Sequence, residues 1–141
     1  MSKHLEHEIE LEPAFYDIDP MDVVWHGHYA KFLERARTAL MLRLNFGYRE
    51  MRECGYAFPI IELFIRYAQP LVLGQRIRVS ARIVEWESRL KVMYVIRDAA
   101  TGRRLTKAHT VQVAVDASTQ ELCFVCPTVL WERLGVAPPC G

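Results

Sequence analysis

Residues 17–37 read DIDPMDVVWHGHYAKFLERAR, and this stretch decides the fold. It opens with acids and a proline, and an apolar residue then recurs every three or four positions, which is the spacing of one helix face. The residues of that face are Tyr29, Phe32, Leu33, Ala36, Ala39 and Leu40. We expect a long helix that begins near residues 26–29 and ends near Gly47, with Gly47 as its C-terminal cap. A shorter helical turn is expected over residues 48–54.

The rest of the chain shows the alternation that is typical of β-strands. Residues 7–16 place Ile9, Leu11 and Phe15 on one face, and Pro13 indicates an edge position or a bulge. Five further alternating runs follow the helix: residues 58–67, 76–83, 90–97, 103–116 and 122–126. Short connections that contain Gly or Ser indicate hairpins. This order predicts an α+β fold, in which a largely antiparallel sheet of five to six strands curls around the long helix.

Properties of the whole chain narrow the class of protein. Its 141 residues suit a single domain over 1–141, with 136–141 as a loose tail. The net charge of +1 argues against a nucleic-acid partner, and no apolar run reaches the roughly 18–20 residues that span a bilayer. The polar, acidic N-terminus does not resemble a secretory signal, so we expect a cytoplasmic protein with reduced cysteines. Cys123 and Cys126 form an isolated C-x-x-C, which we interpret as packing residues.

Three carboxylates, those of Asp17, Asp19 and Asp22, lie between the first strand and the long helix. Acidic residues are common in loops and near a helix N-terminus, where the helix dipole stabilises them, so position alone makes none of them catalytic. The helix N-terminus also presents unpaired backbone N–H groups, which can hold a carbonyl oxygen as an oxyanion hole. A carboxylate beside that carbonyl carbon can attack it or deprotonate a water molecule. The segment therefore combines two requirements of acyl transfer.

His26 and His28 flank Gly27 at the expected start of the helix. Two histidines two positions apart diverge by about 200° on a helix, and the sequence shows no third ligand, so we expect no metal site. Backbone donation from residues 26 and 27 is the favoured role, and Gly27 would let a ligand approach the backbone closely. The sequence contains no nucleophilic Ser or Cys motif, phosphate-binding loop or dinucleotide fingerprint. We expect no metal or redox cofactor.

The pattern D-x-D-P-x-x-V-V-W-H-x-x-Y over residues 17–29, followed by F-x-E-R-A-R at 32–37, resembles the hotdog-fold acyl-CoA thioesterases. Specifically, it is similar to the 4-hydroxybenzoyl-CoA thioesterase family and its Tol-Pal-associated branch. The resemblance continues through F-P-I-I-E at 58–62 and covers nearly the whole chain. It implies a long helix wrapped by a curved antiparallel sheet. It also implies a homodimer or tetramer with active sites at the subunit interface.

The resemblance implies roles for the residues of the motif. Asp19 matches the family's catalytic carboxylate, which acts as a nucleophile or as a general base. The thioester oxygen would be held by the backbone N–H of His26, with Gly27 as a second candidate donor. The side chains expected at the substrate are Val24, Trp25, His28 and Tyr29. Coenzyme A is part of the substrate, so no separate cofactor is implied.

Two positions depart from the family pattern. Asp22 stands where glycine is common and becomes a candidate accessory carboxylate, and His28 stands where asparagine is common. The expected reaction is hydrolysis of an acyl-CoA, or of an acyl group on acyl carrier protein, to free acid and thiol. One alternative is a hotdog hydroxyacyl-thioester dehydratase that uses a histidine with Asp19. The other is a non-catalytic acyl-binding hotdog protein.

Overall fold

The computed structural model describes residues 3–138, and its elements follow the predicted order of strand, long helix and successive strands. The helices are α1 (Tyr29–Arg43), α2 (Tyr48–Glu53) and α3 (Thr128–Leu134). The strands are β1 (Glu6–Leu11), β2 (Tyr56–Ala57), β3 (Ile60–Tyr67), β4 (Ile77–Glu85), β5 (Leu90–Asp98), β6 (Arg104–Gln112) and β7 (Val115–Asp116). The predicted tail falls partly on residues 139–141, which lie outside the described residues.

Five strands form one antiparallel sheet in the order β1-β4-β5-β6-β3, and β2 pairs with β7 in a small second sheet. Helix α1 packs on β1 and β4, so the predicted α+β class is confirmed. Alternate residues of β4 and β5 are buried: Ile77, Val79, Ala81, Ile83, Leu90, Val92, Tyr94 and Ile96. Each large apolar side chain buried in this way contributes roughly 1.5–3 kcal/mol, and together they hold the helix against the sheet.

The first strand ends earlier than the sequence predicts. It stops at Leu11 rather than at residue 16, because Pro13 lacks the N–H that a ladder needs. The chain then makes a 3-10 turn at Phe15–Asp17, and Phe15 is 81% exposed instead of sharing the buried face of Leu11. The edge position that Pro13 indicates is confirmed, since β1 is an outer strand of the sheet.

The long helix also ends earlier than predicted. Helix α1 stops at Arg43, and Asn45 takes a left-handed conformation with φ of 59°. Gly47 has an extended backbone and precedes the first turn of α2. The prediction that Gly47 caps α1 is therefore wrong. Asparagine tolerates the left-handed region better than most side chains, so Asn45 takes the turn for which the sequence suggested glycine.

Residues 122–126 do not form the predicted strand. This segment makes one isolated bridge to β7, and the chain then enters α3. Helix α3 buries Leu130, Trp131 and Leu134, and Pro127 precedes it while Gly135 ends it with φ of 68°. Proline before a helix and glycine after it are ordinary boundary signals, so this helix could have been found from the sequence. Across residues 3–138, no helix has the length and apolarity that a membrane crossing requires.

Strand β3 is the other outer strand of the sheet, and it exposes both faces. Ile61, Leu63 and Phe64 are 56, 48 and 49% exposed. The outer edge of β3 has no neighbouring strand among residues 3–138, so it presents backbone groups that a further strand can pair with. Exposed apolar patches of this kind are common where proteins bind one another.

Candidate active site

The segment between β1 and α1 folds back on itself, and we call residues 17–25 the acidic loop. The Asp19 N–H donates to the Val23 carbonyl at 2.8 Å, and the Trp25 N–H donates to the Asp17 carbonyl at 2.9 Å. These bonds pair the two arms of the loop as in a small hairpin. A 3-10 turn at His26–His28 leads from Trp25 into α1, so the pairing holds the acids in front of the helix start.

Asp17 is buried and fully engaged, with only 3% of its surface exposed. Its Oδ1 accepts a hydrogen bond from Lys31 Nζ at 2.7 Å, and its Oδ2 accepts one from the Ala14 N–H at 2.9 Å. The Nδ1 atom of His28 lies 3.9 Å from Oδ1. Burial alone raises the pKa of Asp17, but the bonds from Lys31 and Ala14 bring it below its ordinary value. Asp17 therefore fastens the acidic loop to α1.

Asp19 is bound less completely. Its Oδ1 accepts hydrogen bonds from the Met21 N–H at 2.8 Å and, more weakly, from the Val23 N–H at 3.5 Å. Aspartate often bonds to its own backbone two residues onward in this way. Its Oδ2 has no hydrogen-bond partner in the part of the chain that the structure describes. One oxygen thus orients the carboxylate, and the other is available to a substrate or a water molecule.

Asp22 occupies a turn with a left-handed backbone, where φ is 67°. Its N–H donates to the Asp19 carbonyl at 3.0 Å, which closes the tip of the acidic loop. Glycine adopts this conformation without strain, and aspartate is among the few other residues that tolerate it. The position therefore has a conformational requirement that is independent of any role in catalysis.

The start of the helix offers unpaired backbone donors. The N–H groups of His26 and Gly27 have no acceptor among residues 3–138, as expected for the first turn of a helix. The Tyr67 hydroxyl at the end of β3 donates to the His26 carbonyl at 2.8 Å and so ties this turn to the sheet. A Cβ atom at position 27 would overlap the Trp25 ring. The space beside Gly27 is therefore occupied by Trp25, whereas the sequence suggested an approaching ligand.

The predicted substrate-binding side chains separate into two groups. Val24 and Tyr29 are 3% and 2% exposed and belong to the core, where the Tyr29 hydroxyl accepts a hydrogen bond from the Leu71 N–H at 3.3 Å. They anchor the acidic loop and the start of α1 in the core. Trp25 is 46% exposed, and its ring contacts the ring of His28, which is partly exposed. Of the four, Trp25 and His28 therefore present surface around the helix start.

A cavity of about 600 Å³ opens elsewhere on α1, and we call it the α1–α2 cavity. It is bounded by α1, α2, β2, the start of β3 and the ends of β6 and β7. Its polar lining includes Arg37, Tyr48 and Gln112, and its apolar lining includes Phe58 and Ile60. This volume is in the usual range for a small-molecule site. The sequence interpretation missed this cavity. A signal was present, because Arg37 lies four residues after Leu33 and three before Leu40 and so places a charge on the apolar face of α1.

The histidines and cysteines do not assemble a metal centre in the described residues: no group of three or more potential ligands occurs within 3–138. Cys126 is buried, and its burial together with the neighbouring Cys123 raises the pKa of its thiol to about 11. A thiol with that pKa is protonated at neutral pH and is a poor nucleophile.

Comparison with known proteins identifies the family. The model of the thioesterase-like superfamily matches residues 13–134, which include the acidic loop, α1 and every strand of the main sheet except β1. The chain belongs to the thioesterase-like superfamily. Its relatives include YneP of Bacillus subtilis, a protein named as a putative acyl-CoA thioesterase. The two sequences are 32% identical over 108 residues, which are 76% of this chain and 78% of YneP. The acyl-CoA thioester hydrolase YbgC of Escherichia coli is 26% identical, and the matched residues are 72% of this chain and 76% of YbgC.

A solved structure shows the same fold. The 1,4-dihydroxy-2-naphthoyl-CoA thioesterase from Synechocystis superimposes with a TM-score of 0.82, covering 92% of this chain and 96% of its own at 18% identity. The predicted hotdog arrangement is confirmed. The expectation of a thioester hydrolase is also confirmed, since the family model and the named relatives agree on that reaction.

Proposed function

We propose that this thioesterase hydrolyses an acyl-CoA, or an acyl group carried on acyl carrier protein, with Asp19 as the working carboxylate. The observation that carries the proposal is the difference between the acids of the acidic loop. Asp17 is buried and bound to Lys31, whereas Asp19 is held by the backbone of its own turn and keeps one oxygen without a partner among residues 3–138. A reacting carboxylate must be oriented and must also be accessible.

The chemistry assigns each group a step. The N–H groups of His26 and Gly27 bind the thioester oxygen and stabilise the negative charge that develops on it. Asp19 either removes a proton from the attacking water or attacks the carbonyl carbon itself, which forms an anhydride that water then opens. The C–S bond breaks, and the thiolate takes up a proton to leave as free thiol. Asp22 shapes the turn that carries Asp19.

We further propose that the chain forms a homodimer through β3, with two dimers able to associate as a tetramer. The support is an outer strand whose edge pairs with no other strand of residues 3–138 and whose apolar side chains are exposed, among them Leu63. In antiparallel self-pairing about a twofold axis, the Ile60 end of one β3 lies beside the Tyr67 end of the other. Since Tyr67 bonds to His26 and Ile60 lines the α1–α2 cavity, each cavity would then lie next to the helix start of the other copy.

A site formed by the cavity of one copy and the helix start of the other would give the α1–α2 cavity a role in the reaction. The acyl group would occupy the α1–α2 cavity of one copy, and its thioester would reach the acidic loop of the other. We propose that no metal or redox cofactor takes part, because a carboxylate and backbone donors supply what hydrolysis requires, and kcat should be unchanged after exhaustive chelation. We propose a cytoplasmic location, where acyl-CoA is available and the free cysteines stay reduced.

The reaction is tested by following free thiol from a panel of acyl-CoA and acyl carrier protein thioesters. Asp19→Asn keeps the acceptor for the Met21 N–H and so preserves the turn, but it removes the base and should lower kcat about 10²-fold or more. Asp98→Asn is the matched control, because Asp98 Oδ1 also accepts N–H bonds from its own turn, at Ala100 and Thr101. The control should retain wild-type kcat. Formation of an enoyl thioester without free thiol would instead identify a dehydratase.

The molecular mass of the protein in solution, measured by light scattering, tests the proposed dimer. Leu63→Lys places a charge in the centre of the proposed β3 interface and should yield a monomer with little activity. Leu73→Lys is the control, since Leu73 is similarly exposed at 52% but lies outside β3. Light scattering that finds Leu63→Lys still dimeric would contradict pairing through β3.

A further inference from the structure

Strand β3 divides its side chains between the two faces of the sheet. Ile65 pairs with Ala108 of β6, which pairs in turn with Tyr94 of β5. The Tyr94 hydroxyl accepts a hydrogen bond from Arg37 of α1, so this row of side chains lies on the face that α1 covers. Successive residues of a strand point to opposite faces. The side chains of β3 on the other face, which we call the solvent face, are those of Glu62, Phe64 and Arg66.

Arg66 lies beside a like charge on the solvent face. It is directly opposite Lys107 of β6, and like charges in that position destabilise a sheet. Neither side chain forms an ion pair with a carboxylate of residues 3–138. A carboxylate supplied from outside these residues would offset the repulsion.

Glu62 presents a carboxylate that is engaged only weakly. Its side chain is 55% exposed, and its one partner within ion-pair distance in residues 3–138 is His109, whose Nε2 lies 3.9 Å from Oε1. That separation is too long for a hydrogen bond. Phe64 lies between the two charges, and it is 49% exposed although its ring stacks on His109 with centroids 5.4 Å apart. The solvent face of β3 therefore presents an acid, an aromatic ring and a base in a row along an edge of the sheet.

Twofold self-pairing of β3 allows few registers, because residues directly opposite each other share a face of the sheet. An axis at Phe64 places Glu62 of each copy opposite Arg66 of the other. An axis at Glu62 or at Arg66 places two like charges opposite each other. An axis at Leu63 or Ile65 places neither charge opposite its complement. Only the axis at Phe64 gives opposite charges at both positions, and the bulge of β3 falls before Glu62, outside this stretch.

We infer that two copies of this chain pair through β3 in the register centred on Phe64, with two reciprocal Glu62–Arg66 ion pairs between the copies. The inference rests on the homodimer of the proposed function. Each Arg66 gains the carboxylate that offsets Lys107, and the two Phe64 rings meet between the ion pairs. Exposed ion pairs add little to stability, so the charges select the register. Exposed apolar side chains on the α1 face, such as that of Leu63, supply the apolar contact.

The register determines the geometry of a site shared between the copies. On the α1 face it places Tyr67 opposite Ile61 of the other copy. Tyr67 bonds to the His26 carbonyl, and Ile60 lines the α1–α2 cavity, so the helix start of one copy lies next to the cavity of the other. Moving the axis by one residue slides the strands past each other by two residues, or about 7 Å. Such a slip would move each cavity by that distance along the strand relative to the helix start it serves.

Mixing two charge-reversal variants tests the register. In a homodimer of Glu62→Arg both cross-strand pairs become positive, and in a homodimer of Arg66→Glu both become negative. A mixed dimer with one copy of each variant has opposite charges at both positions. Equal amounts are combined in mild denaturant and refolded, and native mass spectrometry counts the three dimers. The mixed dimer should exceed the two homodimers together by about tenfold or more, because specificity is the difference between the affinities.

Two further variants serve as controls. The double variant Glu62→Arg/Arg66→Glu reverses both charges of each pair, so its homodimer should have a dissociation constant within about threefold of the wild-type value. Glu8→Arg reverses an exposed charge on the solvent face of β1, at the opposite edge of the sheet, where Glu8 lies opposite Ser80. A mixture of Glu8→Arg with Arg66→Glu should show no preference for the mixed dimer. Circular dichroism confirms that each variant is folded.

The outcomes separate this inference from the proposed function. If the wild-type protein is a monomer, or if Leu63→Lys remains a dimer, pairing through β3 is wrong and the register with it. If Leu63→Lys is a monomer but the two charge-reversal variants mix at random, the β3 dimer stands and the register centred on Phe64 is wrong. A double variant that stays monomeric while the wild type is a dimer would also contradict the register. These measurements do not depend on thiol release, so a failure of thioester hydrolysis is recognised separately.

Discussion

Asp17 and Asp19 are two positions apart in one loop, yet their surroundings differ sharply. Asp17 is 3% exposed and accepts hydrogen bonds from a lysine ammonium and a backbone N–H, so its carboxylate holds the loop to α1. Asp19 is held through one oxygen by its own turn, and its second oxygen has no partner within residues 3–138. Sequence position therefore does not distinguish the buried, paired acid from the one that we propose reacts, whereas pairing and exposure do.

The largest effect on stability is expected at Asp17. Asp17→Asn removes the charge and turns one acceptor into a donor that faces either Lys31 or the Ala14 N–H. We expect the free energy of unfolding to fall by about 2 kcal/mol, which is typical of a lost hydrogen bond to a charged group. Denaturant unfolding measures this change. A loss below about 0.5 kcal/mol would show that Asp17 does not fasten the loop.

The pH dependence of stability should follow from the same carboxylate. The folded state lowers the pKa of Asp17 below its ordinary value, so the folded state favours the charged form. Its stabilisation is therefore complete above the unfolded pKa of about 4 and is lost as the pH falls through the folded pKa. The difference in unfolding free energy between wild type and Asp17→Asn should be constant from pH 5 to pH 7 and should shrink below pH 4. A difference that stays constant to pH 3 would contradict this linkage.

Lys31 should matter less than its partner. Its side chain is 47% exposed, and solvent screens a half-exposed ammonium. Lys31→Met should therefore lower the free energy of unfolding by about 1 kcal/mol or less. Lys31→Arg, which keeps the charge, should recover most of that loss. Equal losses in the two variants would indicate that the packing of the lysine stem, and not its charge, supports the loop.

Asp22 should show the smallest effect of the three acids. Glycine adopts a φ of 67° without strain. Asp22→Gly should therefore leave the free energy of unfolding nearly unchanged and keep kcat within about twofold of the wild-type value. The measurement is thiol release with the substrate that the wild-type protein prefers. A fall of about tenfold or more would restore Asp22 as an accessory carboxylate.

The sequence predicted the parts of the site that lie close together along the chain. The helix start at residues 26–29, the acids before it and the antiparallel sheet follow from local spacing, and the structure has them. The sequence did not predict the Lys31–Asp17 bond or the place of Arg37 above β5, because these contacts join elements that periodicity treats separately. Local turn chemistry explains the early end of α1, since Asn45 rather than Gly47 takes the left-handed turn.

The exposed faces of β3 were also beyond the sequence interpretation. Alternation in residues 58–67 predicts a strand, and the neighbouring residues Leu63 and Phe64, which point to opposite faces, are both about half exposed. The dimer that we propose would account for an outer strand that is apolar on both faces. Alternation within one chain cannot distinguish burial in its own core from burial against another subunit.

The central claim is that Asp19 reacts while Asp17 supports it, and a paired measurement on Asp19→Asn and Asp17→Asn tests it most directly. For each variant, kcat per folded molecule and the denaturant midpoint are determined together. We predict that Asp19→Asn loses about 10²-fold or more in kcat at an unchanged midpoint. Asp17→Asn should lower the midpoint and keep kcat within a few-fold wherever it is folded. The reverse pattern, with kcat lost in Asp17→Asn at an unchanged midpoint, would contradict the assignment.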